Sequence, residues 1–290
     1  MTKRDWAVGV GVSAALLACG GPDSAGRIEG DEPASVPPPA DDGSRPGWRL
    51  VWQDEFDGPA GTAPDAARWT PEVGGDGWGN EQLEHNTDRT DNAALDGDGR
   101  LAITARRESY RGNTYTSARL STRAKFEKTY GRFEARARMP IGQGMWPAFW
   151  LLGGDIGEVG WPACGEIDIL EYKGQAPSIV YGTVHGPGYS GASGVGKEQP
   201  ISRTDLSEDF HIYAVEWTPD RIRWFVDSFM FHELTPDDLP PGTRWVFDHD
   251  HFIILNLAVG GRFVGPLGPD VVFPQSLLVD YVRVYEKTEQ

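Results

Sequence analysis

Alternation with a period of two is the feature that most limits how this 290-residue chain can fold. Between Gly131 and Met139, the residues Phe, Ala, Ala and Met alternate with Glu and two Arg. This alternation predicts a β-strand with one buried face and one face in water. No long stretch has the 3.6-residue period of an amphipathic helix, and 37 glycines and 22 prolines supply frequent turns.

Strand-like runs of this kind recur through residues 47–290, which we predict to be one domain. The runs are 101–105, 115–120, 131–139, 179–185, 210–217, 222–231, 252–259 and 277–285. Short helical turns are expected only near 236–239 or 244–247. Many strands between Gly, Pro and Asp turns predict an all-β, two-sheet sandwich of the β-jelly-roll type. A bent inner sheet would form a groove, which suits a polymer better than a small metabolite.

The first 18 residues have the features of a secretion signal. Two basic residues precede an apolar stretch, 6–17, that is too short to cross a bilayer as a helix. The stretch ends in Leu-Leu-Ala-Cys, which resembles a bacterial lipobox, so Cys19 is predicted to carry lipid. An ordinary signal peptide with an incidental cysteine is the alternative. The chain is therefore expected to be a secreted lipoprotein that meets a membrane only through Cys19, which leaves Cys164 as a free thiol.

The composition of residues 19–46 predicts a flexible tether. This stretch is rich in proline, glycine and acidic residues and has no aromatic residue, so it cannot bury enough apolar surface to offset the entropy of ordering. The net charge of the whole chain is −16, which disfavours nucleic acid as a partner. We expect a monomer.

Three carboxylates lie within the six residues Glu-Ile-Asp-Ile-Leu-Glu at positions 166–171. In a regular strand Glu166 and Asp168 share one face, whereas Glu171 would point into the core, where an unpaired carboxylate is costly. A β-bulge at Ile169-Leu170 would bring all three to the same face. The carboxyl groups of Glu166 and Glu171 would then lie about 5 Å apart, the separation typical of retaining glycosidases.

Clustered negative charges resist simultaneous ionisation, so at least one of these carboxyl groups is expected to hold its proton to higher pH, as a general acid must. A calcium site or a solvated acidic strand is the alternative for the same residues. The intervening aliphatic residues argue against a fully solvated strand, and calcium sites usually draw on loops and carbonyls.

The six-residue run resembles the bulged Glu-x-Asp-x-x-Glu signature of glycoside hydrolase family 16. Five further segments resemble the bacterial laminarinase (endo-β-1,3-glucanase) branch of that family: 78–84, 144–150, 160–165, 182–189 and 254–261. The resemblance spans residues 48–287. It implies a β-jelly roll with a cleft across its concave sheet, Glu166 as the nucleophile, Glu171 as the general acid/base and Asp168 as the residue that tunes the pair. It implies no cofactor for catalysis.

Sugars bind through aromatic rings that stack on their apolar faces. The resemblance places Trp161 against the sugar near the scissile bond. Trp146 and Trp150 are four residues apart on a predicted strand and share a face, so either one can belong to the cleft or to the core. We assign Trp146 to the cleft and Trp150 a structural role, and we expect Trp217 and Trp224 in the core.

Polar residues of the predicted cleft each have an ordinary structural alternative. The resemblance puts His185 near the acid/base, although a hydrogen-bonded structural histidine fits the sequence nearly as well. Arg119 resembles a cleft arginine, with a surface salt bridge as the alternative. Asn80 and Glu81 are further candidates for substrate contacts. The segment 82–87 departs from the family, with His85 and Asn86 where laminarinases often have aromatic residues.

Many members of the family carry a structural Ca²⁺ on the convex side, away from the cleft. The positions that resemble its ligands are Glu55, Gly99 and Asp280, with a backbone carbonyl as the donor at Gly99. A turn glycine and two surface acids are the alternative. The run His249-Asp250-His251 lacks the spacing of a common zinc site and is expected to be an ordinary loop.

The predicted activity is retaining, endo-acting hydrolysis of β-1,3-glucan of the laminarin type. Other specificities of the family are alternatives: mixed-linkage β-1,3-1,4-glucan, agarose or transglycosylation. A non-catalytic glucan-binding protein is the alternative outside enzymes. Because such proteins typically lack the catalytic carboxylates, the presence of Glu166, Asp168 and Glu171 favours an enzyme.

Overall fold

A computed structural model of the chain describes residues 43–201 and 205–288. The predicted signal, Cys19 and nearly all of the tether lie outside the described residues. The strands are β1 Trp48–Asp54, β2 Thr70–Pro71, β3 Glu84–Asn86, β4 Ala93–Leu95, β5 Leu101–Tyr110, β6 Asn113–Ser117, β7 Arg119–Ser121, β8 Glu127–Lys128, β9 Gly131–Arg138, β10 Met145–Gly153, β11 Glu166–Tyr172, β12 Ile179–His185, β13 Val195–Pro200, β14 His211–Thr218, β15 Arg221–Val226, β16 Phe229–Leu234, β17 His251–Val259 and β18 Gln275–Lys287. The helices are α1 Ile156–Val159 and 3₁₀ turns over Gly191–Ser193 and Pro236–Asp238.

These strands form two sheets, which confirms the predicted all-β sandwich. The ten-stranded sheet has the order β16-β15-β14-β9-β18-β5-β6-β3, with β1 beside β18 and β4 beside β5. The eight-stranded sheet has the order β13-β12-β11-β10-β17-β7-β2, with β8 beside β17. All pairs are antiparallel except β3 with β6. In the described residues no helix has both the length and the apolar character needed to cross a bilayer.

The predicted strands are present, with differences at their turns. The run 222–231 is a hairpin, β15 and β16, whose turn includes Asp227 with a φ of 53°. The run 115–120 is two strands, β6 and β7, which part at Ala118. Of the two helical turns considered, the one at Pro236–Asp238 forms, and residues 244–247 are not helical. The four-residue helix α1 has no periodic signal because it is little more than one turn.

The core lies between the sheets and takes the apolar residues of each alternating strand. Phe133, Ala135 and Ala137 of β9 are at most 1% exposed. Trp217 and Trp224 are fully buried, as predicted. The free thiol of Cys164 is also fully buried, and burial raises its pKa to about 11.

The opposite face of β9 is not the solvated surface that alternation predicts. Glu134 on this face is fully buried. Its carboxylate accepts hydrogen bonds from Arg45 Nη2 at 2.8 Å and Arg132 Nε at 2.8 Å, and from the Tyr285 hydroxyl at 3.2 Å. The charge is therefore paired and hydrogen-bonded, which is the condition under which a buried carboxylate is tolerated. Arg45, assigned to the tether, contacts the sandwich through this carboxylate.

Candidate active site

Strand β11 contains the predicted bulge. Asp168 pairs with Thr183 of β12 and Glu171 pairs with Tyr181, so Ile169 and Leu170 together face the single residue between them. Both bulged side chains are 1% exposed and belong to the core. The indole of core residue Trp224 donates a hydrogen bond to the Asp168 carbonyl at 2.8 Å, next to the bulge.

The bulge brings Glu166, Asp168 and Glu171 to one face of the eight-stranded sheet, which we call the carboxylate face. The pairing partners on the neighbouring strands confirm this placement, because residues directly opposite each other in a sheet share a face. His185 lies opposite Glu166 and Ala148 lies opposite Glu171. The phase shift that the sequence predicted is thus present in the backbone.

Each of the three carboxylates has a specific neighbour. The Trp161 indole donates to Glu166 Oε2 at 2.7 Å, and the Trp146 indole donates to Glu171 Oε1 at 3.0 Å. His185 Nε2 lies 3.1 Å from Asp168 Oδ2 and 3.7 Å from Glu166 Oε1. The two glutamates are therefore held by different tryptophans, and the histidine is shared between Glu166 and Asp168.

Burial dominates the electrostatics of the three carboxyl groups and raises the pKa of each one. The negative charge of Asp168 raises the pKa of Glu166 and Glu171 further. The Trp161 hydrogen bond and the neighbouring His185 oppose this rise at Glu166, because both favour its charged form. At neutral pH the three carboxyl groups therefore keep at least one proton. We assign this proton to Glu171, whose pKa lies well above its ordinary value.

The two predicted ligand tryptophans differ in exposure. Trp161 is 48% exposed, although its indole N–H is bound to Glu166. Trp146 is 8% exposed and packs against Phe263, with ring centroids 5.1 Å apart. Trp161 thus offers an open ring surface beside Glu166, and Trp146 mainly positions Glu171.

Arg119 is placed on the carboxylate face between two indoles. Its guanidinium carbon lies 4.7 Å from the ring centroid of Trp78 and 4.7 Å from that of Trp150. It also forms an ion pair with Glu72. Arg119 thus has the salt bridge that sequence reasoning offered as the alternative, and it also lies on the face where a cleft arginine is expected. Trp150 shares this face, and its indole donates to Asn256 Oδ1 at 2.8 Å.

Asn80 and Glu81 lie beside the loop that follows β17, residues 260–265, which we call the rim loop. The carbonyl of Asn80 accepts a hydrogen bond from the Arg262 backbone N–H at 2.8 Å. The Glu81 side chain is 70% exposed and forms an ion pair with Arg262 at 2.8 Å. A methyl group added at the adjacent Gly261 would lie 3.4 Å from the Trp146 ring and 2.9 Å from the Asn80 carbonyl. The rim loop therefore approaches the carboxylate face at Trp146.

Comparison with known proteins agrees with this geometry. The family model described as Glycosyl hydrolases family 16 matches residues 80–256, more than half of the chain. The chain belongs to glycosyl hydrolase family 16. Its two-sheet sandwich is the β-jelly roll of this family, as predicted.

Individual members of family 16 are similar over most of the chain. A beta-glucanase from Rhodothermus marinus is 47% identical over 252 residues, covering 84% of this chain and 87% of the relative. A glucan endo-1,3-beta-glucosidase from Cryptopygus antarcticus is 41% identical over 255 residues, covering 81% and 91%. The solved laminarinase catalytic domain from Thermotoga maritima MSB8 has a TM-score of 0.78 and 46% identity, covering 83% of this chain and 99% of that one.

Sequence reasoning did not include four residues that lie on or against the carboxylate face: Trp78, Trp150, Asn256 and Phe263. The signal for two of them was available. Trp150 shares the phase of Trp146 along one strand, and Asn256 is the one polar residue within the apolar run 252–259. Trp78 and Phe263 come from loops, whose position depends on the tertiary fold.

Residues 84–87 of the segment 82–87, where the sequence departs from the family, are buried, whereas Leu83 is 40% exposed. His85 is 8% exposed, Asn86 1% and Glu84 0%. Glu84 Oε2 accepts a hydrogen bond from the Val259 backbone N–H at 2.8 Å. The backbone N–H of Leu83 also donates a hydrogen bond of 2.8 Å to the Val259 carbonyl. The residues that differ from the family therefore lie in a segment that is bound to the end of β17, where the rim loop begins.

Replacing Glu84 by glutamine is expected to stabilise the protein at alkaline pH. Burial raises the pKa of Glu84 from 4.5 to about 7, so the folded state holds this proton more tightly than the unfolded chain. The resulting stability is complete below pH 4.5 and is lost as the pH rises to about 7. The Glu84→Gln variant keeps the acceptor for Val259 without a charge. Its free energy of unfolding should exceed that of the wild type by up to about 3 kcal/mol at pH 8, and by much less at pH 5.

Denaturant unfolding at several pH values measures this difference. Glu81→Gln is the matched control, because it makes the same substitution at an exposed glutamate, and it should give no comparable gain in stability at pH 8. A Glu84→Gln curve that runs parallel to the wild-type curve from pH 5 to pH 8 would contradict the buried, protonated carboxyl group.

The positions that resemble calcium ligands lie near one another by strand register. Asp54, which precedes Glu55, pairs with Val282, and Leu101, two residues after Gly99, pairs with Val279. The two carboxylates, however, are bound to arginines. Arg283 donates to both oxygens of Glu55 at 2.8 and 2.9 Å, and Arg136 donates to Asp280 at 2.7 Å. A calcium ion at these positions would have to compete with both arginines for the carboxylates.

Proposed function

We propose that this protein is an endo-acting β-1,3-glucan hydrolase of the laminarin type that works with retention of configuration. The observation that carries the proposal is the bulged strand β11, which presents Glu166 and Glu171 on one face, each bound to the indole of a different tryptophan. A pair of carboxyl groups in two different environments is what a nucleophile and a general acid require. The names of the similar glucanases and laminarinases support β-1,3-glucan as the substrate class.

In the first step, Glu166 attacks the anomeric carbon and Glu171 donates its proton to the glycosidic oxygen. The glycosidic bond breaks, and the sugar becomes an ester of Glu166. The Trp161 N–H holds Oε2 of Glu166, which leaves Oε1 for the attack. Burial and the charge of Asp168 keep Glu171 protonated until the leaving group needs the proton.

In the second step, Glu171 accepts a proton from water, which attacks the glycosyl ester and releases the product. The change of role follows from charge. Ionised Glu166 contributes to the raised pKa of Glu171, and this contribution disappears when Glu166 becomes a neutral ester. The pKa of Glu171 then falls, so the same residue acts as a base.

The open ring of Trp161 supplies the apolar surface for the sugar beside Glu166. Its exposed fraction of 48% is unusual for a tryptophan whose N–H is already bound inside the site. Sugar rings stack on such surfaces through their C–H faces. Trp161 thereby joins substrate binding to the orientation of the nucleophile.

A panel of polysaccharides tests the proposal. We expect new reducing ends from laminarin and curdlan, a mixture of oligosaccharides as early products, and much slower release from lichenan, agarose or κ-carrageenan. NMR of the first products should show the β-anomer before mutarotation. Initial α-anomers would contradict the double displacement. Faster cleavage of lichenan or agarose than of laminarin would show that β-1,3-glucan is not the preferred substrate.

The alternatives are separated by the same panel. Mixed-linkage glucan, agarose and transglycosylation involve the same carboxylates, so they differ in the products and not in the mechanism. A purely glucan-binding protein would retain laminarin without releasing reducing ends. The three clustered carboxylates argue against that alternative, because their raised pKa values are a cost that binding alone does not require.

We also propose that the protein is a monomer and a secreted lipoprotein anchored at Cys19, and the sequence of its first 19 residues supports the anchor. Cys19→Ala should convert a membrane-associated protein into one that is soluble or keeps its signal. Wild-type protein that fractionates as soluble, with an unmodified N-terminus other than Cys19, would contradict the anchor.

The calcium ion stays a prediction, which a rise in melting temperature on adding Ca²⁺ after EGTA treatment would support.

A further inference from the structure

Three side chains of the site bring metal-binding atoms unusually close together. One ligand atom each from Glu166, Asp168 and His185 lie within 4.8 Å of one another. Two of the separations are 3.1 Å, from His185 Nε2 to Asp168 Oδ2, and 3.7 Å, from His185 Nε2 to Glu166 Oε1. Within residues 43–201 and 205–288, no other three His, Cys, Asp or Glu residues meet in this way.

Two polar atoms of this trio are buried without a hydrogen bond. Asp168 Oδ2 and His185 Nδ1 have no hydrogen-bond partner, and their residues are 4% and 9% exposed. A buried carboxylate oxygen without a donor is costly and is rare in folded proteins. Asp168 Oδ2 is the oxygen next to His185 Nε2. The carboxylate oxygen that forms no hydrogen bond therefore lies between the three side chains.

The donor set suits zinc better than calcium or magnesium. One imidazole and two carboxylates with an open fourth position are the kind of ligands that Zn²⁺ takes in sites accessible to solvent. Bonds of about 2.0 to 2.1 Å in a tetrahedron separate neighbouring ligands by about 3.4 Å, close to the 3.1 and 3.7 Å found here. Calcium and magnesium prefer six or more oxygen ligands and do not select imidazole.

We propose that Glu166, Asp168 and His185 form a binding site for Zn²⁺ whose occupation inhibits the enzyme. Three bonds from zinc to the protein replace three bonds from zinc to water, and any proton on the carboxylates leaves to solvent. No electron transfer is involved. Zinc then binds Oε1 of Glu166, the oxygen that attacks the sugar, so Oε1 cannot approach the anomeric carbon. Glu171 stays outside the site.

Binding and inhibition make different demands. The inhibition rests on the proposed function, in which Glu166 is the nucleophile. The binding rests only on the positions of the three side chains. Measurements that do not need activity therefore keep the two proposals separate.

Calorimetry with ZnCl₂ tests the binding, on the full chain freed of metal by a chelator and carrying no polyhistidine tag. We expect one Zn²⁺ per chain at this site, and with Co²⁺ a visible absorption of the intensity that four- or five-coordinate cobalt gives. Asp168→Asn and His185→Ala should each weaken zinc binding at least about tenfold and abolish the cobalt bands. In the wild type, Zn²⁺ should inhibit hydrolysis reversibly, and EDTA should restore it.

His249→Ala is the matched control. His249 Nε2 lies 3.1 Å from Asp155 in another histidine–carboxylate pair, outside the trio, and this variant should bind zinc like the wild type. Unchanged zinc affinity in folded Asp168→Asn and His185→Ala would overturn the proposal, as would loss of the bound zinc in His249→Ala. If either of the first two fails to fold, Glu166→Gln gives the same test. Zinc bound at the trio without any glucan hydrolysis would refute the proposed function and leave the metal site.

Discussion

Replacing Glu166 by alanine is expected to lower kcat on laminarin and on laminari-oligosaccharides by on the order of 10⁴-fold or more. The variant has no carboxylate that can form the glycosyl ester, and the double displacement cannot begin. The loss should appear with every substrate and every leaving group, because it removes the bond-forming atom. Glu158→Ala, at an exposed glutamate of α1, is the control and should keep the wild-type rate.

Azide distinguishes loss of the nucleophile from general damage to the site. In Glu166→Ala the small anion can enter the space of the missing side chain and attack the anomeric carbon, while Glu171 still protonates the leaving group. The product should be an α-glycosyl azide, formed from an aryl laminari-oligosaccharide long enough to fill the cleft. Activity near the wild-type level without azide would contradict the role of Glu166.

The bulge in β11 could be predicted from the sequence because the constraint there is local. Glu166, Asp168 and Glu171 cannot share a face of a regular strand at their spacing, and one extra residue is the simplest change that keeps Glu171 out of the core. The register of β11 against β12 has that extra residue at Ile169 and Leu170. The alternation of Phe133, Ala135 and Ala137 was equally local and is confirmed by their burial.

The surroundings of the centre depend on contacts between distant segments, which a pattern along the chain does not encode. Arg119 lies between Trp78 and Trp150 because the loop before β3 folds over β7 and β10. Glu134 was expected in water, but Arg45, 89 residues away in sequence, helps to neutralise it in the interior. The hairpin turn at Asp227 was missed because its residues interrupt the apolar run only briefly.

Replacing Glu171 by alanine is expected to give a loss that depends on the leaving group. With laminarin the variant should be slower by a factor on the order of 10³ or more, because the sugar alkoxide cannot leave without a proton. With an aryl glycoside whose phenol is acidic, the first step needs little protonation and should stay fast. The ester of Glu166 should then accumulate, since no base activates water for the second step, and a burst of phenol should be followed by slow turnover.

Added azide needs no general base, so it should speed this second step by attacking the ester directly. Attack on the ester inverts the configuration for the second time, and the product should be a β-glycosyl azide. The two variants therefore predict opposite anomers from one substrate: α from Glu166→Ala and β from Glu171→Ala. The reverse pair of anomers would exchange the roles of the two glutamates. Because Trp161 binds one glutamate and Trp146 the other, that exchange would also assign the half-exposed tryptophan to the acid/base and the buried one to the nucleophile.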